Sequence, residues 1–409
     1  MLKFFKGMRL IDILSIFWVA IWLLPQARAW LGAYNAVWAA CFGLWLIYVP
    51  FSHRATQNSK GFYFAIVIYL ALVFLLTTLK NADSMFNRYL ELTQVPFTFI
   101  LAQYYINRKN SWDLKLLLLI LPLLLWPSVV TAQKLVANPF ISRAINMTGE
   151  DSLMLMREGI GGYGLIYAAL IFAVVLFYFG YHERRIHRKW LCYGCTLVFS
   201  TLVVLSNFFT ATIMLFIGLI GTFVLKSKKN IPLLIILGLF TVFTYRPLLE
   251  MIISGATHIV QQDGRTYDRL MQMRQSLKFN NATDNVDTRS DVNKLTLKMI
   301  AEHPVQGKFF SNDMSRENSD LDGIGQHSTI MDTFAIWGIP LGLFFIFLLI
   351  YPFRVMWKLA NGFKAKTFVV IGGGVFFGTI LTNNMTPSMG LGAYFLLPVL
   401  LNLFVKQNC

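Results

Sequence analysis

The chain has 409 residues, 56% of them hydrophobic and only 14% charged, with a net charge of +16. A soluble chain of this size carries roughly a quarter charged residues, so a water-soluble globular domain is excluded. Hydrophobic runs recur from end to end, which points to a single membrane domain over 1–409 rather than the two or three domains that length alone would suggest.

A run of about 18 or more apolar residues can cross the hydrocarbon core as a helix. Twelve such helices are expected, near 8–25, 30–50, 61–79, 89–106, 114–132, 160–181, 190–206, 208–225, 231–248, 330–353, 366–384 and 388–405. The first run ends at Pro25-Gln26 without a small-x-small cleavage site, so it reads as a retained span. Residue 2 is Leu, which rules out an N-terminal myristoylation box. Cys192 and Cys195 form a C-x-x-C, but the pair lies inside an apolar run, with no second pair and no His at zinc-site spacing. It therefore reads as packing rather than metal or redox chemistry. The seventh and eighth spans are divided by a tight turn at Ser206-Asn207, and the last two by Asn383-Asn384-Met385-Thr386-Pro387.

Lys and Arg in short loops set orientation. With the N-terminus in the cytoplasm, the inner segments hold Lys3, Lys6, Arg9, Arg54, Lys60, Arg108, Lys109 and Lys115. They also hold Arg184, Arg185, Arg188, Lys189, Lys226, Lys228, Lys229, Arg354, Lys358, Lys364, Lys366 and Lys406. The short outer loops hold only Arg28, Lys80, Arg88, Lys134, Arg143 and Arg157. Both termini are then cytoplasmic. The positive net charge is mostly this bias, spread over many loops with no single basic patch, so a nucleic-acid partner is not expected.

One segment stands apart, the polar stretch 249–329, expected to form a large loop on the outer face. From Arg246 to Thr329 it carries 10 basic and 11 acidic residues, so it is a mixed-charge surface and not a basic anchor. It contains two amphipathic patterns. Residues 265–278 set Tyr267, Leu270, Met271 and Leu277 on one face, with Arg265, Arg269, Gln272 and Ser276 on another. Residues 289–302 set Val292, Leu295, Met299 and Ile300 together; Asp287, Thr288 or Ser290 can cap the helix and His303-Pro304 ends it. Such helices lie in a membrane interface or cover the mouth of a cavity. The stretch closes with Asp322-Gly323-Ile324-Gly325-Gln326-His327-Ser328, and the tenth span follows at once. Ser328 or Thr329 can cap that span, and Asp332 sits in its first turn, where the helix dipole favours a carboxylate. His327 is thereby held at a helix start on the outer face, unlike His53, His182 and His187 in basic loops, or His258 and His303.

The order Arg289…His303-Pro304…Gly307…Gln326-His327-Ser328…Gly338 resembles the core of the O-antigen ligase and polymerase family. The match is close over 289–342 and loose elsewhere. Two features depart from the family's pattern. A Ser-Arg step that often opens a mid-chain span is replaced here by Ser206-Asn207-Phe208-Phe209, and the glycines after the His read Gly338-Ile339-Pro340-Leu341-Gly342. The wording Gln326-His327-Ser328-Thr329-Ile330-Met331-Asp332 looks more like the polymerase branch.

The resemblance implies an all-α, polytopic glycosyltransferase of the inner membrane of a Gram-negative bacterium, without metal or other cofactor. Its donor would be an undecaprenyl-pyrophosphate-linked oligosaccharide. A polymerase transfers the glycan to another lipid-linked repeat unit, and a ligase to the lipid A core. Membrane lipids and a chain-length regulator protein are the further partners implied. The residues suit that chemistry. Arg forms bidentate bonds to phosphate oxygens, so Arg289, Arg265, Arg269, Arg157 and Arg88 are candidates to hold the departing pyrophosphate. The acceptor hydroxyl must lose a proton, and His327 is the candidate base.

Structural roles stand beside each of these. His327 could simply cap a loop, and Arg289 could be a solvated residue or pair with Asp287 or Asp291. Arg265 and Arg269 could be a surface stripe, Arg88 could pair with Glu91, and Arg157 could be an interfacial anchor. A transporter or lipid flippase is the rival function. The sequence lacks a G-x-x-x-x-G-K-[ST] ATP motif and paired interrupted helices in two halves.

Overall fold

The structure, a computed structural model, describes residues 8–31, 34–52, 60–81, 83–108, 111–138, 141–145, 150–206, 208–225, 254–255, 267, 271, 284–311 and 328–408. Among these every regular element is helical. In chain order they are α1 (Leu10–Leu23), α2 (Pro25–Trp30), α3 (Tyr34–Phe51), α4 (Lys60–Leu79), α5 (Asp83–Ile106), α6 (Trp112–Ala137), α7 (Ile141–Ala144), α8 (Glu150–Arg157) and α9 (Tyr163–His182). There follow α10 (Ile186–Leu205), α11 (Phe209–Val224), α12 (Asp284–Glu302), α13 (Gly307–Ser311), α14 (Thr329–Leu359) and α15 (Gly362–Thr382). The last stretch is α16 (Pro387–Gly390), a π-helical turn (Leu391–Leu396) and α17 (Leu397–Asn408).

Seven of these stretches are long and apolar enough to cross a membrane: α4, α6, α9, α10, α14, α15 and Pro387–Lys406. Shorter apolar helices stand at Leu10–Leu23, Ala36–Phe51 and Thr210–Val224. The fold is that of a multi-pass helical membrane protein. The expected spans match helices throughout, except 231–248, which lies outside the described residues.

Burial separates central helices from peripheral ones. The apolar windows of α9 and of Pro387–Lys406 are 83% buried, against 39% for α4 and 33% for α10. A helix that is apolar on every face belongs inside, and α9 buries an unbroken series from Leu165 to Leu176. On α4, Phe64, Ile68, Leu72, Leu75 and Leu79 remain exposed at three- and four-residue spacing, the face a bilayer would cover. α5 is central for a different reason. It carries Arg88, Glu91, Gln94 and Gln103, and polar groups at membrane depth face protein. Gly390 fits directly against Val95 of α5, and Thr98 Oγ1 donates to the Gly390 carbonyl at 3.1 Å.

The two ends of the bundle are distinguished by side-chain ties. The end at which α9, α14 and α16 begin is termed upper. At the lower end Asp12 and Arg108 form a buried ion pair. Tyr105 Oη donates to Asp12 Oδ1 at 3.0 Å and to Ser15 Oγ at 2.9 Å, and the Arg108 guanidinium lies 4.0 Å from the Trp112 ring centre. Tyr178 Oη donates to the Lys364 carbonyl at 2.7 Å, tying the lower end of α9 to the start of α15.

Candidate functional site at the upper end

Ser328 starts the site. Its hydroxyl accepts from Met331 N at 3.2 Å and its own N–H donates to Asp332 Oδ2 at 3.1 Å. Of the two caps expected, Ser328 and Thr329, it is Ser328 that caps, and with the first-turn carboxylate at Asp332 it forms one reciprocal motif, in which a cap of this kind contributes about 1 kcal/mol. Thr329 then locks α14 to the turn between α15 and α16. Its N–H donates to the Asn383 carbonyl at 3.3 Å, and its Oγ1 accepts from Met385 N at 2.6 Å. Just beyond that contact, Thr386 and Ser388 share a hydrogen bond at 3.0 Å, and Ser388 Oγ donates to the Gly164 carbonyl at 2.9 Å. The starts of α9, α14 and α16 thus meet in one hydroxyl-rich patch.

α14 is not one continuous rod. Gly338 has φ 75° and ψ 176°, a conformation essentially confined to glycine. At this break Ile339 N donates to the Pro304 carbonyl at 2.7 Å. Gly307, also at positive φ (65°), packs backbone to backbone on Ile336 and Gly338. A Cβ on either glycine would overlap a carbonyl oxygen of the other segment, that of Ile336 or of Val305. The break also holds Phe309 against Trp337, with ring centres 4.6 Å apart, and buries Lys308. So His303-Pro304, Gly307 and Gly338, which the sequence marks only by their order, converge at one junction that fixes α12 and α13 against the first turns of α14.

α5 brings charge to this place. Tyr89 Oη donates to Thr333 Oγ1 at 3.4 Å and its ring lies 5.0 Å from Trp337. The Arg88 guanidinium and the Asp332 carboxylate both act electrostatically on the Tyr89 hydroxyl. Arg88 acts also on Glu91, as does Arg28 from α2. Arg28 donates through Nε to the Ile21 carbonyl at 3.2 Å and lies over Trp22. On the α9 side, the Arg143 guanidinium stands 5.3 Å from the Phe208 ring centre, and Phe208 packs on Tyr163 at 5.8 Å.

Of the residues expected from the sequence, Arg88 is at the site. It acts electrostatically on Glu91, as does Arg28. Arg157 ends α8 in an exposed position. Position 289 lies on α12. Arg265, Arg269 and His327 lie outside the described residues, and of the 265–278 pattern only Tyr267 and Met271 are described, both helical. α12 ends at Glu302 as His303-Pro304 requires, but begins at Asp284, ahead of the expected caps. Arg28, Arg143 and Lys308 carry no signal in the sequence, since each is one more basic residue in an outer segment and only packing gives it its neighbours.

Among the described residues no group of three or more His, Cys, Asp or Glu is placed to hold a metal ion, and Cys192 and Cys195 are buried free thiols in α10. The patch offers guanidinium donors beside hydroxyls and two carboxylates, an arrangement suited to an anionic, hydroxyl-bearing ligand. No protein-family model matches the chain, and no curated protein matches its sequence.

Proposed function

We propose that the chain is a membrane-embedded glycosyltransferase that uses an undecaprenyl-pyrophosphate-linked glycan at the periplasmic face, most simply as an O-antigen polymerase. The observation that supports this reading is the convergence of Pro304, Gly307 and Gly338 on the helix that Ser328 caps, with Tyr89, on which Arg88 acts, packed against its first turns. Three of the residues whose order resembles the ligase and polymerase family, Pro304, Gly307 and Gly338, are thus neighbours.

In this reading the upper end faces the periplasm and the membrane is crossed twelve times. The helix alternation supports it, since Arg9, Arg108, Lys115, Arg185, Lys358, Lys364 and Lys406 fall at the lower end. α11 ends low, with Phe223 against Tyr181 at 5.7 Å, whereas α14 begins high. The chain must change ends between 225 and 328, and 231–248 is the apolar run suited to that crossing.

The chemistry follows from the residues. Arg88 and Arg289, with Arg265, Arg269 and Arg157 as further candidates, would hold the donor pyrophosphate through bidentate hydrogen bonds. They would stabilise the charge that grows as the sugar C1–O bond breaks. His327 would take the proton from the acceptor hydroxyl as the new glycosidic bond forms. The test is a lipopolysaccharide gel from a deletion strain. Core bearing one repeat unit supports the polymerase. Bare core with accumulated lipid-linked polymer replaces it with the ligase, and an unchanged ladder overturns both.

A further inference from the structure

We propose that α12 is a membrane-surface helix, seating Leu297 and Ala301, with Val305 just past its end, at the edge of the adjacent leaflet's hydrocarbon while Lys294 and Lys298 reach its phosphate groups. This inference stands on the membrane fold and not on the glycosyltransferase reading.

The depth comes from α14. Its lipid-facing stripe begins abruptly at the break: Ile339, Leu343, Phe347 and Ile350 are 40%, 55%, 45% and 49% exposed, while no large apolar side chain of 329–338 is exposed. Residues 339–359, at 1.5 Å rise per residue, span about 30 Å, the thickness of the hydrocarbon core. Gly338 therefore marks the upper hydrocarbon boundary. The Pro304–Ile339 hydrogen bond and the Gly307–Gly338 contact hold the end of α12 at that depth.

The faces of α12 agree. Thr296 is buried, and Leu295, Met299 and Ile300 pack against the core. The remaining arc is divided. Leu297 and Ala301 stand four residues apart along one edge, and Val305 follows in the turn after the helix, all exposed, with Leu297 at 56% and Val305 at 68%. Lys294, Lys298 and Glu302 recur at the same spacing along the other, with Lys298 and Glu302 paired at 3.8 Å. Val305 follows Pro304, whose carbonyl bonds the first residue of the lipid-facing stripe, so the apolar edge of α12 continues the face that α14 turns to lipid. An apolar edge beside a basic edge on a helix lying at this depth fits an anionic bilayer surface.

The test uses the full chain with Cys409→Ser, since Cys41, Cys192 and Cys195 are buried. Leu297→Cys, Val305→Cys and Glu302→Cys are each labelled with a nitrobenzoxadiazole probe. The proteins are placed in phosphatidylethanolamine–phosphatidylglycerol vesicles with or without brominated acyl chains. The proposal expects labels at 297 and 305 to be quenched several-fold more by brominated lipid than the label at 302, and to be less open to aqueous iodide. Labels at 297 and 305 as open to iodide as the one at 302 would overturn it. Shielding of 297 from both quenchers would also overturn it, because a second copy of the chain would then cover this edge.

Discussion

Gly307 and Gly338 carry a contact that no side chain can replace. Both have positive φ, and a Cβ on either meets a carbonyl oxygen of the opposing segment. Gly338→Ala is therefore expected to destabilise the protein by at least about 1–3 kcal/mol, the usual cost of such backbone strain. Gly374→Ala, in a helix with open space around it, should be neutral or slightly stabilising. Thermal unfolding in detergent compares them, and equal melting of the two variants would remove the junction's importance. Asp12 and Arg108 pose a second question. Removing one partner strands a buried charge, which costs about 3–5 kcal/mol. Asp12→Asn should thus be strongly destabilising, and adding Arg108→Gln should recover much of the loss; additive losses would show that the two charges act independently. Neither feature was equally legible. The Ser328–Asp332 cap is local and could be read from a five-residue stretch. The Asp12–Arg108 pair joins positions 96 apart, which no periodicity encodes. The chemistry is tested at His327. His327→Ala should leave folding intact and lower transfer roughly 10²- to 10⁴-fold. As a base, His327 is active when neutral, so the wild-type rate should rise with pH through the ordinary imidazole range near about 6.5, and the mutant should lose that limb. Wild-type turnover in the mutant would exclude this role.

α5 and α14 show what hydrophobic runs do and do not reveal about a helix. The apolar runs coincide with the described helices, some of which extend five or six residues past them, because burial and lipid contact both demand continuous apolar sequence. α5 was found the same way, but its polar face, with Arg88, Glu91 and Gln94, became meaningful only when α1 and α2 were seen to answer it through Trp18, whose Nε1 donates to Gln94 Oε1 at 2.8 Å, and through Arg28. The sequence reads 330–353 as one span, and the break at Gly338 and its contact with Pro304–Gly307 come from packing alone. The order of the helices makes a topological prediction. α9 ends and α10 begins at the lower end, as do the end of α14 and the start of α15, whereas α12 packs on the upper turns of α14. Reporter fusions near residues 186 and 360 should therefore be cytoplasmic, and a fusion near 285 periplasmic. A cytoplasmic signal at 285 would invert the orientation and remove the site from the face where lipid-linked glycans are joined.

Across the whole molecule, charge and polarity are unevenly shared between the two ends. The lower end keeps most of the loop cations and a closed ion pair. Among the described residues the upper end holds fewer cations, among them Arg28 and Arg88, which act on Glu91, Arg143 over the Phe208 ring and the buried Lys308. A membrane protein that acts on an anionic, sugar-bearing lipid needs this arrangement on one face only. The pyrophosphate in this account is held by guanidinium groups, so its transfer should not need a divalent cation. The direct test is glycan transfer by the purified full-length protein in lipid nanodiscs, supplied with undecaprenyl-pyrophosphate-linked repeat units and excess chelator. The account predicts a ladder of lengthened lipid-linked glycans in the wild type, lost in His327→Ala and strongly reduced in Arg289→Lys. A wild-type protein that forms no ladder under chelator, but forms one when magnesium or manganese is restored, would contradict it.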